Sequence, residues 1–155
     1  MTPGRAGGSA PRIQLYLHPD HLLPEGFGFG SLEKICMPAL DEVMGVARDG
    51  SPLRSLEEIE ITLVSDAVIA DVHAEFMQID GPTDVITFDH GEILISTDTA
   101  ALQAVENQNS LEKETATYIV HGLLHLAGYA DKAPEDFDQM AELQQSIVDR
   151  VWLAA

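Results

Sequence analysis

The chain has 155 residues, 45% of them hydrophobic, which is enough for one domain with a buried core. Its 26 acidic and 8 basic residues give a net charge of −18, which repels polyanions and disfavours a surface that grips a nucleic-acid backbone. No apolar run approaches the length of a membrane span, and the one cysteine, Cys36, excludes an internal disulfide and suits a reducing cytoplasm. Residues 1–11 lack the apolar centre of a secretory signal, so we expect a disordered tail there and a single domain over residues 12–155.

Alternating and helical apolar patterns predict the order strand, helix, strand, helix, strand, strand and three further helices. The strands are expected at residues 12–17, 58–64, 84–88 and 92–96, the last two joined as a hairpin. The helices are expected at about residues 31–47, 65–77, 97–108 and 110–127, and from residue 134 onward. This order indicates an α+β fold, a small mixed sheet of about four strands with helices packed on it.

Local signals refine three of these helices. Pro38 should either kink the first helix or lie in its first turn. Asn109 or Ser110 should cap the fourth helix, with Glu112 completing a capping box after Asn109. Phe137 should belong to the apolar face of the last helix.

Two histidines, His121 and His125, are four residues apart in an apolar run without a helix breaker. On a helix, this spacing puts both imidazoles on one face, where they can hold two corners of a tetrahedral zinc ion. Gly128 can end the helix in a left-handed conformation, so that the chain turns and brings Asp131 back as an oxygen ligand. Histidines on apolar helices are usually core or surface residues. The glycine and the carboxylate are what favour a zincin-like metal helix with a fourth position for water.

The run from His121 to Tyr129 resembles the signature of the YbeY family, bacterial endoribonucleases that mature ribosomal RNA and bind zinc through three histidines. The likeness covers roughly residues 58–148. It includes the segments Ser65-Asp66, Pro82–Phe88 and Gly91–Ser96, which follow the family's order and spacing.

Two departures from the family pattern matter for function. The third family histidine falls at Asp131, and zinc accepts an aspartate oxygen, although iron or manganese become alternatives. The family arginine that is thought to meet the RNA phosphate falls at Met77, which offers no charge. Lys132, or a protonated His73 or His90, would have to replace it.

The resemblance implies a zinc-dependent endoribonuclease that acts in 16S rRNA maturation and ribosome quality control, with a metal-activated water attacking a phosphodiester. It implies rRNA or the ribosomal subunit as a partner, together with a ribosomal protein or an assembly GTPase. It also implies a cytoplasmic location without membrane contact. The oligomeric state stays open.

The general base is not identified by the motif, because an ordinary zincin helix carries Glu where this chain has Gly122. The candidates are Glu114, Glu92 and His73, each also expected as a solvated or structural residue. Residues expected in the cleft or around the metal ligands are Met77, Thr83, Asp84 and His90. For Thr83 and Asp84, capping of a local turn is an equal alternative.

Two other functions stay open. A zinc site of two histidines and an aspartate could hydrolyse a peptide or small amide, which an acidic protein would not repel. Alternatively, the chain is a non-catalytic ribosome-assembly binding protein, and the metal is structural with His73 or His90 as the fourth ligand. A water-bearing site favours catalysis, whereas a closed site of four protein ligands favours the binding protein.

Overall fold

The computed structural model describes residues 10–154, so residues 1–9 of the predicted tail lie outside the described residues and the tail stays a prediction. The described strands are β1 (Arg12–Leu17), β2 (Glu58–Val64), β3 (Val85–Phe88) and β4 (Glu92–Ser96). The described α-helices are α1 (Phe29–Met44), α2 (Asp66–Met77), α3 (Thr97–Asn107), α4 (Leu111–Leu126) and α5 (Pro134–Ala154). A short 3-10 helix covers Pro52–Arg54.

The four strands form one mixed sheet in the order β1-β2-β4-β3. β1 and β4 both run parallel to β2, whereas β3 pairs antiparallel with β4 through the predicted hairpin. In the central register, Ile61 lies between Leu15 and Ile93. The α+β class and the mixed sheet of about four strands are therefore confirmed. Since β3 ends the sheet, its outer edge is free to form one wall of a groove.

The sheet has a large core on one face and a small one on the other. On the large side, α1, α4 and α5 cover side chains such as Ile61 and Ile93, and Cys36 is buried there as expected. On the small side, Ile69 of α2 packs against Val64, and partly buried Phe88 completes the cluster. The central strands are thus covered on both faces, as expected for parallel strands.

Helix α4 lies very close to the sheet at Gly122. A Cβ added at that glycine would come within 2.9 Å of two side-chain atoms of Ile93, which is fully buried. Gly122 therefore faces the sheet, and no larger side chain fits there without displacing Ile93. This packing explains why the position that carries Glu in a zincin helix has no side chain in this chain.

Several local predictions differ from the structure. Pro38 lies inside α1, so of its two predicted places the first turn is wrong, and α1 begins at Phe29, before the expected start at residue 31. Ser110 caps α4 by accepting a hydrogen bond from the Lys113 amide. The predicted capping box with Glu112 is wrong, because the Glu112 carboxylate instead accepts a hydrogen bond from the Gly28 amide.

The last helix also departs from its predicted face. Phe137 is 55% exposed, so it does not belong to the core, whereas Met140 and Ile147 are buried. No helix within residues 10–154 combines the length and apolarity needed to cross a membrane.

We predict that Gly122→Ala lowers the free energy of unfolding. The new methyl group overpacks Ile93, which costs about 1–3 kcal/mol and outweighs the roughly 1 kcal/mol of helix propensity gained. Denaturant unfolding checks this against Gly30→Ala in α1, where an added Cβ meets nothing within 4 Å. In an Ile93→Ala background the loss should disappear. A loss of equal size in both backgrounds would refute the contact.

We predict that the Cys36 thiol is unreactive in the folded protein. Burial, with a smaller contribution from the Glu33 carboxylate, raises its pKa from 9.0 to about 12, so the thiolate fraction at pH 8 falls roughly a thousandfold. Reaction with a disulfide reagent should therefore be at least about 100-fold slower than in guanidinium chloride. Equal rates in the folded and unfolded chain would contradict the buried, protonated thiol.

Candidate metal centre

The end of α4 sets the direction of the metal-motif loop. Gly128 adopts a left-handed φ of +96°, and its amide donates a hydrogen bond to the His125 carbonyl at 3.1 Å. The Tyr129 amide donates to the Leu124 carbonyl at 3.0 Å, which closes the helix. The chain then turns back along the helix, so that Asp131 faces the two histidines as the sequence predicts.

Three side-chain atoms converge at this point. His121 Nε2 and His125 Nε2 are 3.1 Å apart, and Asp131 Oδ2 lies 3.5 Å from the first and 3.6 Å from the second. Ligands of a tetrahedral zinc ion, each about 2.0–2.1 Å from the metal, are separated by about 3.4 Å. The triangle therefore has the size that one such ion requires.

Hydrogen bonds at Nδ1 determine which ring nitrogen of each imidazole carries the proton. His121 Nδ1 donates to Gln144 Oε1 at 2.7 Å, and His125 Nδ1 donates to the Tyr129 carbonyl at 3.0 Å. Both acceptors are carbonyl oxygens, so each neutral ring must present an unprotonated Nε2 to the centre. The lone pairs of the two Nε2 atoms and the Asp131 carboxylate face one another and repel. A cation between them would remove this repulsion. The donor set therefore fits a divalent metal.

Electrostatics also favour the ligand form of the His125 ring. Burial lowers the pKa of His125, and repulsion from a charged His121 lowers it further, against smaller opposing effects of Asp131 and the Tyr129 carbonyl. His125 is thus neutral at neutral pH, as a metal ligand must be.

The centre is open to solvent. The side chains of His121, His125 and Asp131 are 24%, 28% and 36% exposed. Within residues 10–154, they form the one group of His, Cys, Asp or Glu side chains with ligand geometry, and it has three members. A metal ion held by these three side chains would keep a fourth position for water or substrate, as in catalytic zinc sites.

A second set of contacts holds the loop that carries Asp131. The Arg48 guanidinium lies over the Tyr129 ring, 4.2 Å from its centroid, and donates to the Gly128 carbonyl at 3.3 Å. The Tyr129 hydroxyl donates to the Val46 carbonyl at 2.7 Å. The turn after α4 is thereby tied to the chain that follows α1.

The structure places the predicted cleft residues in different surroundings. Met77, the last residue of α2, lines a cavity of about 250 Å³ together with Thr87, Asp89 and His125. Asp84 accepts hydrogen bonds from the Val85 amide at 2.7 Å and from the Thr83 hydroxyl at 3.3 Å, which is the turn-capping role. Met77 is therefore adjacent to the centre, while Thr83 and Asp84 shape the start of β3.

Other candidates lie outside the three-ligand group. His73 Nδ1 is 2.9 Å from the Gly81 carbonyl, and His90 Nε2 is 3.1 Å from the Glu92 carboxylate. The Glu114 carboxylate is buried and accepts hydrogen bonds from Asn107 and Asn109. Lys132 is exposed directly after Asp131.

Sequence reasoning missed Gln144 and Arg48. Gln144 follows Met140 by four residues and precedes Ile147 by three, so it is a polar residue on the core-facing stripe of α5. A polar side chain on the apolar face of a helix could have indicated a buried hydrogen-bonding role for Gln144. Arg48 left no comparable signal, because its partners are 80 or more residues away along the chain.

Comparison with known proteins gives a consistent set of matches. The family model described as Endoribonuclease YbeY matches residues 31–152. The chain is 34% identical to Endoribonuclease YbeY of Acaryochloris marina over 117 residues, which cover 64% of this chain and 66% of that protein. It is 34% identical to Endoribonuclease YbeY of Heliobacterium modesticaldum over 138 residues, which cover 76% and 79%. The solution structure of TM1509 from Thermotoga maritima matches with a TM-score of 0.61 and 28% identity, covering 90% of this chain and 89% of that one.

We predict that Gln144→Ala weakens zinc binding roughly 10–100-fold, because His121 loses the acceptor that fixes its tautomer. Competition with a chromophoric chelator measures the affinity. Gln145→Ala is the matched control, since this neighbouring exposed side chain bonds Asp149 and does not contact His121. Equal losses in the two variants would contradict the assigned role of Gln144.

Proposed function

This chain belongs to the endoribonuclease YbeY family, and from that premise we propose that it is a metal-dependent endoribonuclease. The observation that carries the proposal is the convergence of His121 Nε2, His125 Nε2 and Asp131 Oδ2 in a partly exposed site on the motif helix. The proposed substrate is ribosomal RNA, in 16S maturation and ribosome quality control in the cytoplasm. The proposed partners are the ribosomal subunit, a ribosomal protein or an assembly GTPase.

The proposed cofactor is one zinc ion per chain. When bound, the ion would supply Lewis acidity toward a phosphoryl oxygen and toward water. His121 and His125 would hold it through Nε2, because their Nδ1 protons are committed to Gln144 and to the Tyr129 carbonyl. Asp131 makes the donor set harder than three histidines, so iron or manganese would also fit it.

In this proposal, RNA reaches the centre along the groove between the edge strand β3 and α4. Met77 and His125 line one part of this groove. Met77 carries no charge, so it cannot stabilise the negative charge that develops on a phosphate at this position. Lys132, exposed beside Asp131, is the side chain that we propose to supply this charge.

Neither alternative is favoured by a specific observation. A structural metal would need a fourth protein ligand, and within the described residues His73 and His90 both bond other partners. A metallopeptidase helix would need a base next to the first histidine, and Ile93 occupies the space where a side chain at Gly122 would begin.

We predict that chelation of the metal abolishes cleavage of single-stranded RNA and that added zinc restores it. Asp131→Ala should cut the rate on the order of 100-fold or more without recovery at the same zinc concentration, because one of three ligands is lost. Cleavage of an end-labelled oligoribonucleotide measures the rate. Activity that survives chelation would refute a metal-dependent endoribonuclease.

We predict that Met77→Arg raises the cleavage rate about 10–100-fold, because it places a cation at the wall of the groove beside His125. Ile79→Arg is the control for added charge alone, since Ile79 is exposed just beyond α2 and does not line this cavity. If both variants raise the cleavage rate equally, the cause is the weaker overall repulsion of RNA. Stabilisation of the transition state by a cation in the groove would then be refuted.

A further inference from the structure

A polar cavity of about 510 Å³ lies beside the metal centre and has no part in ligation. Its volume falls within the range of small-molecule sites, roughly 300–1,000 Å³. Helices α3, α4 and α5 and the start of β3 contribute its walls. Side chains that characterise it are Asp84, Gln103, Asn107, Glu114, Tyr118 and Gln144.

Glu114 organises one wall of this cavity. Its carboxylate is 3% exposed, and within residues 10–154 it forms no ion pair. Instead, the Asn107 amide donates to it at 3.1 Å and the Asn109 amide donates at 3.0 Å. A buried carboxylate without a cation is costly, so such groups need a compensating role. Here it fixes the orientation of two carboxamides, and within residues 10–154 their carbonyl oxygens accept no hydrogen bond.

Tyr118 belongs to the same network as Glu114. This residue lines the cavity and is 6% exposed, and its hydroxyl is fully buried and interacts with the Glu114 carboxylate. Burial raises the pKa of the phenol, and the carboxylates of Glu114 and Asp84 raise it further, so the hydroxyl stays protonated and can donate. Tyr118 therefore supports the wall of the cavity and helps to hold Glu114 in place.

The chemistry of the lining selects the kind of ligand. The described lining residues include carboxamides, hydroxyls and two carboxylates but no lysine or arginine, so they do not suit a phosphate. Planar arrays of amide donors and acceptors are what proteins use to read the edges of unpaired bases. A neutral, polar heterocycle fits this lining, and the acidic groups do not repel it.

The cavity lies next to the metal centre, along the same helix α4. Gln144 lines the cavity and also holds His121 Nδ1. Glu114 precedes His121 by seven residues on the same helix, which is about 10 Å along the axis. A nucleotide adjoining the bond at the metal centre would therefore reach the cavity with its base.

We propose that this cavity is a base-binding subsite, which holds an unpaired nucleobase of the RNA next to the bond to be cut. The inference rests on the proposed endoribonuclease function and specifies how that site selects its substrate. Gln103 and Asn107 would contact the base directly, whereas Glu114 is a positioning residue for Asn107 and Asn109.

The test is titration of the zinc-loaded, isotope-labelled full chain with adenosine, guanosine, cytidine and uridine, followed by NMR. Nucleosides carry no phosphate, so the acidic surface does not repel them and no cleavage is needed. We expect saturable shifts of the Gln103 and Asn107 side-chain amides with at least one nucleoside. Gln103→Ala should weaken that binding at least fivefold, while Gln14→Ala, an exposed amide change on the far edge strand, leaves it unchanged.

The outcomes separate this inference from the proposed function. Absence of shifts with all four nucleosides, or equal affinity in Gln103→Ala and wild type, overturns the subsite. Shifts produced by magnesium ions but by no nucleoside overturn it as well. If nucleosides bind as expected and RNA is not cut, the subsite stands and the endoribonuclease proposal falls. If RNA is cut with the same base preference in Gln103→Ala and wild type, the endoribonuclease proposal stands and the subsite falls.

Discussion

The repulsion among three electron-rich atoms is the constraint on which the rest of the site depends. His121 Nε2, His125 Nε2 and Asp131 Oδ2 lie 3.1–3.6 Å apart, and hydrogen bonds on the far side of each ring prevent the imidazoles from turning away. Contacts from α5, from the turn after α4 and from the chain after α1 therefore hold the three side chains in this arrangement. A metal ion turns that arrangement from a cost into a stabilising interaction.

The close approach of α4 to the sheet has a chemical consequence. Gly122 lets the metal helix lie directly on Ile93, and His125 on the same helix lines a cavity together with Thr87 of the edge strand β3. The same contact leaves no room for the glutamate that metallopeptidases of similar motif use as a base. Gly122 thus links the packing of α4 on the sheet to the kind of reaction that the site can catalyse.

The net charge of −18 has to be reconciled with a polyanionic substrate. Strong backbone contacts are not available to so acidic a protein, because affinity for nucleic acid normally comes from phosphate neutralisation. The base-binding subsite that we propose would avoid that requirement, since a base carries no charge. A bound divalent ion would further reduce the negative potential at the centre.

Sequence reasoning predicted the features that depend on neighbouring residues. The spacing of His121 and His125, the stop at Gly128 and the return of Asp131 all follow from local helix geometry, and the strands follow from alternation. It could not predict Gln144, Arg48 or the pairing of Glu114 with Asn107, because these contacts exist only once distant helices have packed. Ser110, not Asn109, became the cap, and Asn109 was left to bind Glu114.

The most direct test of the metal centre is an anomalous diffraction measurement at the zinc edge on crystals of the zinc-loaded protein. We predict one anomalous peak about 2.0–2.2 Å from His121 Nε2, His125 Nε2 and Asp131 Oδ2. A well-ordered site without a peak, or a peak bound through Nδ1 of either histidine, would contradict the account.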